Sequence, residues 1–375
     1  MALKLARFAT AMAPRSPNVV LFGYKSSAFT TKVRYALKIK QIPYTFITVP
    51  SMMPRPVLRD TFNLTYRKIP VLALGRELYC DTSIVVEALE HYFPESAGYQ
   101  SVYPTATDGR NYKPLMKGFA SYWIDRPFFR ATCGLMPTRV WRSAFGQDRA
   151  GLIGHKLDPD KLEKKISESM SRLDMHLSML EPMLASNQPD KPWVFSTATP
   201  SLADVAAYTQ LEWGTEVARG RLIHNLTAGD AEDFDAEGAA PIFNEHRYPG
   251  ILAWFRTMKR YLDKLPSTED RDPTFSDVLE RIKNSTMLDE SLLLPTSQPS
   301  HKELDEQCGL IKGTLVSVAP DDTGKDDPTI GRLVALSPEE VVIEPIALDK
   351  PAEVKTRVHF PRLGFVIRPV NKARL

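Results

Sequence analysis

Apolar and polar positions alternate on two different periods along this chain, and the period changes near Pro94. Before that point apolar residues come in short runs. Asn18 to Gly23 reads as a strand, followed by the polar turn Tyr24-Lys25-Ser26-Ser27-Ala28-Phe29 and an amphipathic helix from Thr30 to Lys38. A second strand is predicted around Tyr44 to Val49. Lys68-Ile69-Pro70-Val71-Leu72 leads a third strand, Gly75-Arg76-Glu77 reads as a hairpin turn into a fourth, and a helix is predicted from Ser83 to Tyr92. After Pro94 the spacing becomes helical. Tyr112, Leu115, Met116, Phe119 and Trp123 share one stripe, Leu162 to Leu184 carries another, and Tyr248-Pro249 through Tyr261 a third, with Trp254 and Phe255 facing inward. Ser201 followed three residues later by Asp204 is a capping-box variant ahead of an apolar run. From Asn284 to Gln307 the chain is polar and proline-punctuated. Short strands return at 310–318, 332–336, 340–343 and 354–366, with Pro, Asp and Gly turns between them, which suggests a small β-barrel.

The pattern predicts a multidomain chain. An extension at 1–17 precedes an α/β domain at 18–95, an all-α domain at 105–270, a linker at 284–307 and a small, mostly-β, barrel-like domain at 308–370.

Two features of the α/β part carry chemistry. A proline at the head of a strand withholds one ladder donor, so the backbone at Ile69-Pro70 has room to pair with an added peptide. Asp81 and Thr82 open a helix, whose free N–H groups and added hydroxyl suit a carboxylate. Glutathione, a peptide with a free α-amino acid end, fits both. The βαβ unit followed by the Ile-Pro strand, a hairpin and a helix is a thioredoxin-like topology. At this point residues 18–265 resemble the glutathione S-transferase superfamily. Ser27-Ala28-Phe29-Thr30-Thr31-Lys32-Val33 looks like the family's Ser/Cys-Pro-aromatic opening of the first helix, and Asp81-Thr82 like its acidic-Ser pair. Ala28 replaces a frequent proline, and Thr82 keeps the hydroxyl of the usual serine.

The resemblance implies a transferase in which Ser27 stabilises the glutathione thiolate, with Tyr24 or Ser26 as competing activators. It implies that Ile69 and Pro70 meet the cysteinyl unit, Asp81 and Thr82 the γ-glutamyl end, and Lys68 the glycyl carboxylate. It also implies an electrophilic small-molecule substrate and a homodimer. The chemistry lies in the second substrate, so a glutathione-dependent isomerase or reductase stays open, as does a non-catalytic binding or dimerisation protein. The stretch from Asp125 to Arg149 is dense in arginine and aromatics. It reads either as surface helices or as an acceptor wall in which Arg126, Arg130 or Arg139 recognises an acidic or carbonyl group. The acidic segment Thr227 to Ala240 reads as a mobile loop.

Composition sharpens this only a little. The 375 residues carry 48 basic and 45 acidic side chains, a net +3 that gives no global pull towards nucleic acid or membrane. Cys80, Cys133 and Cys308 are far apart, without metal-ligand spacing, which suits a reducing compartment. No run is long and apolar enough to span a bilayer. The expected location is cytoplasmic, with a mitochondrial alternative because residues 1–17 hold Lys4, Arg7 and Arg15 and no acids, the composition of a weak presequence. His359, alone in a strand, reads as structural.

Overall fold

The computed structural model describes residues 18–186, 192–270, 274–287, 293–347 and 349–370; the extension at 1–17 and the basic end of the chain lie outside these. The first strand, β1 (Val19–Gly23), is buried along its whole length. Its side chains alternate between two cores. Val19 and Leu21 pack with Val33 and Leu37 of α1 (Ala28–Lys40), while Val20 and Phe22 face the opposite side with Phe62 of α2 (Pro56–Phe62). β2 (Thr45–Thr48) lies parallel to β1; β3 (Val71–Leu74) and β4 (Glu77–Cys80) follow antiparallel, and α3 (Thr82–Tyr92) returns over the α1 face. This is the thioredoxin-like arrangement that the pattern predicts.

The helical part begins with Lys113–Gly118 and runs on into a wider π-type winding over Phe119–Phe128, with Pro127 inside it. Proline has no N–H for the α-helical bond, and a looser turn absorbs that loss. The predicted Leu162–Leu184 stripe is two helices, Pro159–Lys164 and Ile166–Ala185, and the closing stripe is the helix Pro249–Lys264. At the centre lies Leu202–Ala218, buried nearly all round. Asp204 anchors its start: Oδ2 accepts from the backbone and hydroxyl of Ser201, and Oδ1 from Val194 N–H and Trp254 Nε1, 2.9 Å each. The capping box is structural, and it ties the central helix to the closing one.

The last five strands are β5 (Leu315–Pro320), β6 (Thr329–Leu336), β7 (Glu340–Pro345), β8 (Arg357–Pro361) and β9 (Phe365–Pro369). They do not close on themselves as a barrel would. β9 pairs with β5, and β8 pairs in parallel with β4, so one nine-stranded sheet runs β2-β1-β3-β4-β8-β7-β6-β5-β9. The physical reason is edge coverage: β4 would otherwise present unpaired backbone groups, and β8, buried at every position, supplies them. Val316, Val341, Val358 and Phe360 join the core formed by Val20, Phe22 and Val71. The same five-stranded module therefore extends the sheet and shares its core.

Candidate functional site

A cavity of about 530 Å³ opens where the α/β part, the helical part and the β module meet. Ser27, Ile69, Pro70, Asp81 and Thr82 line it together with Tyr24, Ser26 and Lys68, so every residue that the sequence analysis relates to glutathione reaches one space.

Ser27 is the N-cap of α1. Its Oγ accepts from Thr30 N–H at 3.2 Å, and no acceptor for its own hydroxyl proton is found among the described residues. That proton is available to a ligand. No acidic residue sits in the first turn of α1, so nothing there offsets the positive end of the helix. Ala28 occupies the first helical position; unlike proline it keeps an N–H, adding a donor at that end. Ser26 is fixed by the helical part, its backbone N–H donating to Asn225 Oδ1 (3.0 Å) and its carbonyl accepting from Trp213 Nε1 (2.9 Å). Its buried Oγ has no protein partner. Tyr24 is half-buried, and its hydroxyl lies 3.5 Å from Arg149 Nη2.

On the facing wall the Ile69-Pro70 peptide bond is cis and leads directly into β3. Buried Arg55, which the sequence reading passed over, braces this wall: it donates to the carbonyls of Pro50 (2.8 Å), Ser51 (2.9 Å) and Arg67. Burial brings its guanidinium down to about 10. Lys68 does not stand free. Its Nζ is 2.5 Å from Asp322 Oδ1, a residue of the β5–β6 loop.

At the third corner Asp81 takes φ 87°, ψ 136°, a conformation that non-glycine residues rarely adopt and that costs on the order of 1–3 kcal/mol. Its Oδ1 accepts from Ser83 N–H (2.9 Å) and Ser83 Oγ (2.6 Å), capping α3. Strain held in place by a cap at a cavity wall is a pre-organised feature. Beside it Thr82 lies near Asp125, whose Oδ2 pairs with buried Lys32 Nζ at 2.5 Å. Burial pushes the Asp125 carboxyl up, against the pull of Lys32. Its Oδ1 is buried and has no hydrogen-bond partner among the described residues. Lys32 and Asp125 are 93 residues apart in sequence, and only the turn of Phe119–Phe128 brings them together.

The arginine-rich stretch does form a wall. Arg126, Phe129, Arg130, Trp141, Phe145 and Arg149 line the cavity. Arg139 does not; its guanidinium sits 3.8 Å above the Phe234 ring. That contact, with Phe234 N–H bonded to Gly220 C=O, ties down the irregular 227–240 segment that the sequence reads as mobile. Cys133 also lines the cavity, and burial raises its thiol to about 12. Cys80 is fully buried with its thiol pushed up as well, an inert core residue. Among the described residues no group of three His, Cys, Asp or Glu side chains could hold a metal ion, and no helix is long and apolar enough to cross a membrane.

Comparison with known proteins agrees with this geometry. The family model for the glutathione S-transferase N-terminal domain matches residues 21–97, and a model for a domain of unknown function (DUF7962) matches residues 133–231. Glutathione S-transferase U4 of Arabidopsis thaliana is 29% identical over 79 residues, 21% of this chain and 35% of that protein. A probable glutathione S-transferase, BZ2, of Zea mays is 30% identical over 137 residues, 35% of this chain and 57% of that protein. The chain thus spans from about a third to just over half the length of these relatives. The crystal structure of a GST-like protein from Pseudomonas syringae superposes with a TM-score of 0.59 at 22% identity, covering 94% of this chain and 100% of that one. The fold likeness therefore takes in the β module as well. Residues 21–97 are a glutathione S-transferase N-terminal domain, continued by a helical region and a five-stranded C-terminal module.

Proposed function

We propose that this chain is a glutathione-dependent transferase that conjugates glutathione to an electrophilic small molecule. The observation that carries the reading is the convergence, in one cavity, of the free Ser27 hydroxyl at a helix N-terminus, the Ile69-Pro70 backbone and the Asp81-Thr82 cap. Glutathione is the co-substrate that this set fits. Its γ-glutamyl carboxylate would take the Thr82 hydroxyl and the first N–H groups of α3. Its α-ammonium would meet Asp81 and the unpartnered Oδ1 of Asp125. Its cysteinyl amide would pair with the Ile69 backbone, and its glycyl end would lie towards Lys68. The thiol would then point at Ser27, whose hydroxyl, with the α1 terminus, favours the thiolate. A free thiol titrates near ~8.5, and a drop of about two units is worth about 2.7 kcal/mol. A hydrogen bond to a charged acceptor supplies about 1.5–3 kcal/mol of that. The thiolate attacks the electrophile, the new bond is carbon to sulfur, and the leaving group departs into the arginine-lined end of the cavity. Homodimerisation and a cytoplasmic site of action complete the reading.

Ser27→Ala tests the assignment. The bound-thiol pKa, followed by thiolate absorbance, should rise, and kcat/KM for a model electrophile should fall about 10- to 100-fold with glutathione affinity little changed. An unchanged pKa would move the role to Tyr24 or Ser26, and Tyr24→Phe and Ser26→Ala would then decide between them. No glutathione binding at millimolar concentration would favour the non-catalytic platform instead.

A further inference from the structure

The loop joining β5 to β6 runs along the wall of the cavity. Gly324 N–H donates to the Leu152 carbonyl at 2.7 Å. Asp327 lies 3.3 Å from Arg67, which also reaches Asp148 of the helical part at 3.1 Å. Asp321 lies 3.6 Å from Arg126, and Asp322 2.5 Å from Lys68. Asp322 and Thr323 form part of the cavity wall. The loop is thereby bound to both halves of the cleft, and it brings the Asp322 carboxylate to the wall of the space in which a thiol peptide would lie.

That placement changes what Lys68 can do. On the glutathione reading of the site, on which this inference rests, Lys68 is the cation for the glycyl carboxylate, yet its charge is already matched by Asp322. Burial works against the Asp322 carboxylate, but Lys68, together with the Thr323 backbone and Arg126, outweighs it and holds the group below its ordinary range. A ligand carboxylate arriving there must displace Asp322 from Lys68 and sit beside the displaced acid. A neutral end leaves the pair intact and meets no like charge.

We propose that Asp322 is a specificity-determining residue that reads the C-terminal end of the thiol peptide, opposing a free glycyl carboxylate and admitting an end-blocked, ester- or amide-linked derivative. The β module then has a function at the site: it sets which thiol enters, while Ser27 activates whichever thiol is bound.

Calorimetry with glutathione and with its glycyl monoethyl ester, on the full chain and on Asp322→Asn, tests this. The unaltered chain should bind the ester at least as tightly as glutathione. Asp322→Asn should gain about five- to tenfold for glutathione, the scale of one partly exposed ion pair, and stay within about twofold for the ester. In the Lys68→Met background, Asp322→Asn should lose most of that gain. A preference for glutathione in the unaltered chain, with both ligands weakened alike by Asp322→Asn, would overturn the proposal and leave Asp322 as a strap that merely positions Lys68. Failure of both ligands to bind any variant, with thermal melting showing each folded, would overturn the glutathione reading itself and this inference with it.

Discussion

Charged side chains join the β module to the rest of the chain at several places, and two of these, the β4–β8 seam and the loop at the cavity, are built on different physics. At the β4–β8 seam Arg357 donates to both oxygens of Glu77 (Nη2 2.7 Å, Nε 3.0 and 3.1 Å). His359 lies between Glu77 (2.9 Å) and Glu340 (2.6 Å), and its ring stacks on Tyr79 with centroids 4.3 Å apart. The remaining Glu340 oxygen accepts from Leu294 N–H at 2.7 Å. Glu77 and His359 are fully sealed from water. Over the cavity, by contrast, Asp321, Asp322 and Asp327 expose 45%, 29% and 40% of their side chains. A buried network tolerates no missing member, because each charge was desolvated on the strength of the others. A wet pair exchanges partners at small cost. The seam is suited to fixing the module in place, and the cavity loop to responding to what enters.

The largest test of this contrast is Glu77→Ala, which removes the carboxylate shared by Arg357 and His359. Breaking a buried pair of this kind costs about 3–5 kcal/mol. Denaturant unfolding should show that loss, and limited proteolysis should cut the chain between β7 and β8 faster than before. A loss below about 1 kcal/mol would mean that the seam is held by its apolar side chains alone.

A second test uses pH. Burial alone would lower the His359 pKa, but hydrogen bonds and charge from Glu340 and Glu77 outweigh it and raise the group above its ordinary 6.5. Arg357, on the same strand, faces Glu77 and balances the second carboxylate. A raised pKa means that the folded chain holds this proton more tightly than the unfolded one. The stability it contributes is therefore present in full below about 6.5 and fades as the pH climbs through the folded value. Melting temperature should fall as the pH rises above about 6.5, and His359→Gln should flatten that limb while lowering the whole curve. An identical alkaline slope in the variant would assign it to other groups.

Both places show why part of this molecule is legible in its sequence and part is not. β1 announces itself through alternation, and the caps at Ser27, Asp81 and Ser201 act on N–H groups two or three residues away. Such features are local, so a linear reading finds them. Asp125 meets Lys32 across 93 residues, Lys68 meets Asp322 across 254, and Glu77 meets Arg357 across 280. Nothing in a strand's own sequence tells which strand will lie along its second edge, so the four strand stretches read beyond residue 308 suggest a small β-barrel rather than an extension of the first sheet. A signal was present: Glu77, Glu340, Arg357 and His359 each border or interrupt an apolar run, and two acids with two potential cations in buried strands have to find one another. The sequence reading treats Glu77 as part of a turn, whereas it is the first residue of β4.

The smallest expected effect completes the comparison. Arg67 bridges Asp148 of the helical part and Asp327 of the cavity loop, and Asp148 is the more buried of its two partners. Asp327→Asn removes only the wet half of this bridge. Its cost should be at most about 1 kcal/mol, and it should shrink further in high salt, where exposed charges are screened within about 8–10 Å. Thermal melting at low and high salt measures both quantities, with Glu77→Ala as the reference that salt should leave nearly untouched. If Asp327→Asn cost several kcal/mol at either salt concentration, the loop would be an anchor of the same kind as the seam. Asp322, five residues away on that loop, would then be held too firmly to yield to a ligand, so the stability of one variant bears directly on the selectivity argued for the other.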